Sequence, residues 1–225
     1  SADPTMDRKR FQLPEDVFLF LTMYDCNSTM ERKNPMGALR AFKKAFSPKD
    51  TKVGLVIKVN NPTEEDLSKI RQELKGYENI WLLSGVYTKP EINSLIADAD
   101  VLVSLHRAEG FGLVPAEAML LGTPVIATNW SANTEFMDAK TACMVDYTLV
   151  PIQEDCGPYH KGQRWAEPNL DQAAEYMRKL YEDVEFYHSI SKLGKASVER
   201  ILGKEQAAKK IRNRVDQILR QTENP

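Results

Sequence analysis

Two carboxylates eight residues apart, Glu109 and Glu117, bracket the stretch Gly110-Phe111-Gly112-Leu113-Val114-Pro115-Ala116. Glycines at Gly110 and Gly112 allow positive φ and close backbone approach. A helix opening at such a turn leaves its first N–H groups without intrahelical partners, aimed at whatever lies in front of the turn. This combination suits a phosphate or another polar ligand. By spacing alone, the same residues also fit a solvated surface helix.

The surrounding elements give the turn its setting. Val101 to Leu105 is apolar and β-branched, as expected of a parallel strand covered on both faces. Pro115 fits only in a first helical turn, so the helix begins no earlier than about Leu113. Ala116 to Leu121 favour helix, Gly122 stops it, and Thr123-Pro124 leads into a strand over Val125 to Ala127. A ligand at this turn lies at the carboxyl end of a parallel strand, where open α/β sheets bind.

The rest of the chain repeats this alternation. Strands are predicted over Val17 to Met23, Lys52 to Val59, Asn79 to Leu83 and Ala142 to Val145. Helices are predicted from Pro35, with Ala38, Leu39, Ala41, Phe42 and Phe46 on one face, and from Thr63, with Leu67, Ile70 and Leu74 buried. Further helices are expected over Glu91 to Ala97, Asn169 to Tyr181, Val184 to Leu202 and Gly203 to Arg220. The last is amphipathic and rich in Lys and Arg; it reads as a solvated helix on the domain or as a contact to an anionic membrane. Tyr24 to Asn34 reads as a loop. So does Asp146 to Glu167, with Tyr159 and Trp165 folding it back on the sheet. Asn133 or Ser131 is expected to cap a helix containing Glu135 and Phe136. The fold class is therefore α/β, a Rossmann-like doubly wound parallel sheet of about six strands with C-terminal helices. Residues 1–12 read as a linker or as added residues outside the fold, and 13–225 as one domain.

Composition narrows the function classes. The 225 residues carry 42% hydrophobic residues and a net charge of −2, with both signs scattered, which is no footprint for nucleic acid. The apolar runs are too short to span a bilayer. Cys26, Cys143 and Cys156 are odd in number and widely spaced; they suit a reducing compartment and form no metal site. Asp98-Ala99-Asp100 spells an Asp-x-Asp pair, but it falls where a helix returns to the amino end of a strand, opposite the ligand edge.

The string Glu109-Gly-Phe-Gly-Leu-Val-Pro-Ala-Glu117, followed by Ala118-Met119 and Gly122-Thr-Pro-Val125, resembles the Glu-x7-Glu signature of retaining GT-B glycosyltransferases, glycosyltransferase family 4. The resemblance covers about Val17 to Asp183 and is to the C-terminal, donor-binding half of such enzymes. It implies that Glu109 holds hydroxyls of a donor sugar and that Glu117 holds the ribose. The turn at Gly110, Phe111, Gly112 and Leu113 would meet sugar and phosphate. Lys33 matches a family lysine set against the donor diphosphate and, with Glu109, forms the implied catalytic pair. The family's arginine about six residues earlier falls near Asn27 here, leaving Arg32 as its substitute. Val86 and Tyr87 lie on the segment beside which related enzymes place the base. His106 lies near the implied sugar as a positioning residue. The resemblance also makes Asn133 and Thr134 substrate contacts, in a loop where the family often writes Gly-Gly; this chain has Ser131-Ala132, which cannot copy positive-φ glycines without cost.

The implied reaction is transfer of a hexose from a nucleoside-diphosphate sugar to an acceptor hydroxyl with retention, without a metal or other cofactor. The setting would be polysaccharide or glycoconjugate synthesis, in the cytoplasm or peripheral at a membrane, with a lipid-linked or polysaccharide acceptor and a weak leaning to mannose-like donors. An acceptor-binding N-terminal domain would have to come from outside this chain, so the chain alone is expected to bind donor with little or no transfer. The competing expectations are a stand-alone nucleotide-sugar-binding module and half of a GT-B-like epimerase.

Overall fold

The computed structural model describes residues 2–3 and 5–223. Its strands are β1 (Phe18–Asp25), β2 (Val53–Asn60), β3 (Ile80–Leu83), β4 (Val101–Ser104), β5 (Val125–Thr128), β6 (Cys143–Val145), β7 (Tyr147–Pro151) and β8 (Arg164–Pro168). Its α-helices are α1 (Met30–Lys33), α2 (Pro35–Ala45), α3 (Glu64–Leu74), α4 (Lys89–Asp98), α5 (Leu113–Leu121), α6 (Leu170–Glu182), α7 (Val184–Leu202) and α8 (Lys204–Glu223).

The first six strands form one parallel sheet in the order β3-β2-β1-β4-β5-β6. Strand order reverses between β1 and β4, which opens a crevice at their carboxyl ends. Successive side chains of a strand point to opposite faces, and the two cores follow that rule. Phe20, Leu55 and Ile57 pack on one face with Phe42 of α2, Ile70 of α3 and Met177 of α6. Leu19, Leu21 and Val56 pack on the other with Leu95 of α4, Met119 of α5 and Val198 of α7. The helix starts obey local chemistry. Thr63 and Thr88 each form a capping box, with Asp66 and Glu91 respectively, and α6 is capped by the Asn169 side chain.

Several expectations need correcting. Arg8–Phe11 is a 3₁₀ turn rather than linker: Phe11 and Leu13 are buried, and the Arg8 guanidinium donates to Asp100 and to the carbonyls of Asp98 and Val17. Ser1 and Pro4, assigned to the same segment, lie outside the described residues. The loop after β1 contains a helical turn, α1. The long loop after β6 contains an antiparallel hairpin, β7 with β8; its strands are short and one ends at Pro151, which hid the alternation. Asp100 accepts from Leu19 N–H and Arg8 at the amino end of the sheet, so the Asp-x-Asp pair is fixed at the edge opposite the crevice. α8 forms, but it does not lie on the domain: residues 204–220 are exposed, including Ile211 at 65% and Val215 at 47%. Among the described residues no helix is long and apolar enough to cross a membrane.

Candidate functional site

The site is built where β1 and β4 part company. After β1 the chain makes the single turn of α1 and reaches Asn34, which adopts the left-handed conformation at φ 51°. Asn tolerates that region better than most side chains. Its Oδ1 caps α2 by accepting from Gly37 N–H, and its Nδ2 donates to the Leu105 carbonyl at 2.9 Å. The Arg107 N–H donates to the Arg32 carbonyl at 2.8 Å. These bonds lock α1 to the end of β4, and so bring Lys33 to Glu109.

Lys33 Nζ lies 2.5 Å from Glu109 Oε2, and Arg32 Nη1 lies 3.6 Å from the same oxygen. Burial pushes the Glu109 carboxyl upward, but the Lys33 hydrogen bond and the charges of Lys33 and Arg32 outweigh it and hold the carboxyl below its ordinary value. Glu109 Oε1 accepts from Gly110 N–H, and Glu109 N–H donates to Ser131 Oγ at 3.1 Å. Arg32, offered for the family's arginine, does reach the site; Asn27, at the family's arginine position, is exposed.

Gly112 starts α5 at φ 89°, and a Cβ there would lie 3.1 Å from Asn133 Cβ and 3.4 Å from the Phe136 ring. Both the conformation and the close approach therefore require glycine. The N–H groups of Leu113 and Val114 have no intrahelical acceptor and Pro115 has none to offer, so the positive end of α5 opens on the crevice. Thr22, Lys33, Ser104, Glu109 and Leu113 line a cavity of about 80 Å³ there. Phe111 stacks on Phe136 at 5.5 Å between centroids, and Leu113 is 59% exposed. Glu117, farther along α5, is ion-paired with Lys89 at the start of α4.

His106 stands behind the site rather than in it. Its ring is fully buried; Nε2 faces the Trp130 carbonyl at 3.0 Å and Asn133 Oδ1 at 3.1 Å, and so carries the hydrogen. Nδ1 then accepts from Ser104 Oγ at 3.1 Å. Burial holds the imidazole below its ordinary pKa, against the opposing pull of these bonds and of Glu109. Asn133, expected as a ligand contact or cap, is buried and braces His106 and the Thr128 carbonyl. Neither Asn133 nor Ser131 caps by side chain; the segment is a 3₁₀ turn, Ala132–Glu135. Thr134 is exposed and bonded to the Ser131 carbonyl. Ser131 itself sits at φ 78°, ψ −167°, a region that L residues rarely enter. The conflict between Ser-Ala and a glycine loop is thus resolved by strain at Ser131, whose hydroxyl holds Glu109.

Val86 and Tyr87 follow β3 on the same edge of the sheet, Val86 being 88% exposed. Sequence reasoning missed Asn34, although its place before Pro35 is a helix-start signal. It also gave no role to Arg107, which forms a fork with Glu167 of β8 at 2.5 and 3.0 Å, donates to the Glu31 carbonyl and stacks over Trp165 at 5.1 Å. No local pattern announces a contact between residues 60 positions apart. Among the described residues, no three His, Cys, Asp or Glu side chains gather as for a metal.

The parallel sheet with its order reversal and a glycine turn between flanking acids define a Rossmann-like domain of the GT-B type. Residues 6–148 match the glycosyl transferases group 1 model, and the chain belongs to that family. It is 32% identical over 111 residues to a D-inositol 3-phosphate glycosyltransferase of Paenarthrobacter aurescens, covering 49% of this chain and 22% of that protein. It is 26% identical over 151 residues to an MMP alpha-(1->4)-mannosyltransferase of Mycolicibacterium hassiacum, covering 66% of this chain and 36% of that one. The chain thus matches well under half of these relatives' lengths. Among solved structures, the C-terminal domain of the group 1 glycosyl transferase LpcC from Francisella tularensis superposes with TM-score 0.62 at 18% identity, over 91% of this chain and 95% of that one. Anabaena HepE, crystallised with UDP and glucose, gives 0.64 at 16% identity over 88% of this chain and 49% of that one. At these identities the likeness is one of fold.

Proposed function

We propose that this chain is the donor-binding half of a retaining, metal-independent hexosyltransferase. The observation that carries this reading is the convergence of Lys33, Arg32, Glu109 and the α5 N-terminus on one crevice. Two cations and the helix N-terminus face a diphosphate, and an acid beside them accepts from sugar hydroxyls. As the donor bond breaks, negative charge grows on the leaving diphosphate, where Lys33 and the Leu113 and Val114 amides stabilise it. Glu109 orients the sugar, and Glu117, once released from Lys89, accepts from the ribose. His106 and Asn133 hold the 131–134 loop that positions Glu109.

The cavity of about 80 Å³ is far smaller than the roughly 300–1,000 Å³ of a complete small-molecule site. This supports the reading that a second lobe, carrying the acceptor, closes the crevice. Polysaccharide or glycoconjugate synthesis follows from the same reading; the mannosyltransferase relative favours a mannose-like donor. The basic residues of α8 suit a peripheral contact with an anionic membrane.

Calorimetric titration with UDP, GDP, ADP and their sugars tests the proposal. Binding at micromolar to sub-millimolar concentration is expected, with the nucleotide sugars weakened at least tenfold in Glu109→Ala and the nucleotides about fivefold or more in Glu117→Ala. Absence of binding at millimolar concentration overturns it. Transfer is expected only when the acceptor lobe is supplied.

A further inference from the structure

Lys58 is fully buried near the carboxyl end of β2 and has no carboxylate in contact among the described residues. Its ammonium donates to Gly85 O at 2.7 Å, Asn60 Oδ1 at 2.5 Å and Val59 O at 3.1 Å. The Tyr87 ring lies 4.6 Å from Nζ, in cation–π range. Burial pulls the ammonium below the ordinary lysine value, with Asp25 opposing from a distance. An apolar residue at this position on a parallel strand would cost nothing in desolvation, so the charge needs a local reason.

That reason is the turn after β3. Gly85 faces the Tyr87 ring so closely that a Cβ would lie 3.0 Å from it. Tyr87 is backed in turn by Phe11 at 5.5 Å. Lys58 and Tyr87 thus grip Gly85 from two sides. What they leave outward is Val86: the residue is 88% exposed, and neither its N–H nor its C=O finds a partner among the described residues. Three residues later Lys89 holds Glu117, so the turn continues the line from Glu109 along α5.

We propose that Lys58 is a specificity-determining positioning residue, which fixes the Ser84–Tyr87 turn so that the Val86 backbone presents one donor and one acceptor to the heterocyclic base of a nucleoside diphosphate. This rests on the donor-binding reading above. A rigid donor–acceptor edge discriminates between bases, because a mismatched base leaves a polar group unpaired. A loose turn adapts to any base and discriminates little.

The test is titration of wild type, Lys58→Met and Gly85→Ala with UDP, GDP, ADP and inorganic pyrophosphate. Lys58→Met keeps the length and removes the ammonium; Gly85→Ala forces the Tyr87 ring away from an exposed turn and serves if the first variant does not fold. Both are expected to weaken the preferred nucleotide about tenfold and to draw the three nucleotide affinities together, with pyrophosphate unchanged. Uniform weakening of all four ligands, or unchanged preference, overturns the role of Lys58. Wild type that binds pyrophosphate but shows no preference among bases also overturns it, while leaving anion binding in place. Wild type that binds none of the four overturns the donor reading itself and this role with it.

Discussion

Lys33 and Glu109 are 76 residues apart in sequence and 2.5 Å apart in space. On the proposed reading, the cation for a diphosphate is held here by the acid for a sugar. Lys33→Met leaves Glu109 partly buried with only Arg32 near it. We expect its carboxyl pKa to rise, a loss of about 1–3 kcal/mol of stability by urea denaturation, and nucleotide affinity down about 10- to 100-fold by calorimetry. Unchanged nucleotide affinity would remove Lys33 from the site.

Glu117 should be read through the ribose. Glu117→Ala is expected to weaken UDP or GDP about fivefold or more, while the 2′,3′-dideoxy nucleotides lose nothing further in the variant. An equal loss for both sugars would assign Glu117 to holding Lys89 and the α4 start instead.

Ser131 separates strain from bonding. Ser131→Ala keeps the unfavourable φ and removes the acceptor of Glu109 N–H, so it should destabilise by about 1–2 kcal/mol. Ser131→Gly removes the acceptor but also relieves strain of about 1–3 kcal/mol, so its stability should equal or exceed wild type. Denaturation midpoints of the two variants decide; Gly below Ala would refute the strain.

Two pH windows should be separable. His106 is held neutral, its folded pKa below the ordinary 6.5. Its contribution is therefore present above that value and lost as pH falls toward the folded pKa, because the unfolded chain takes up the proton first. Glu109, also depressed, loses its contribution only below its ordinary 4.5. The stability slope just below pH 6.5 should flatten in His106→Gln, and the slope below 4.5 should flatten in Glu109→Gln.

Arg107 ties the β7–β8 hairpin to α1. Arg107→Ala should raise proteolytic nicking within 152–163 and cost about 2 kcal/mol, and Arg107→Lys should not restore protection, since an ammonium cannot form the planar fork with Glu167. Unchanged nicking would mean that Trp165 packing alone holds the hairpin.

What the amino-acid sequence determined by itself was whatever is written in local periodicity and chain chemistry. The six parallel strands, the α5 start at Leu113, the Gly122 stop, the Pro35 helix and α7 over Val184–Leu202 were all legible, because burial pattern, caps and breakers act within a few residues. So was the acid–glycine–acid turn, whose residue types are themselves the signal. Tertiary structure decided what depends on partners distant in sequence. It drew Lys33 to Glu109 through Asn34 and Leu105, set His106 and Asn133 behind the site, and made Arg8–Phe11 part of the fold by giving Arg8 the carboxylate of Asp100. It also buried Lys58 in a strand that reads as plain core, because only the packed turn at Gly85 supplies the carbonyl and ring that an ammonium needs out of water.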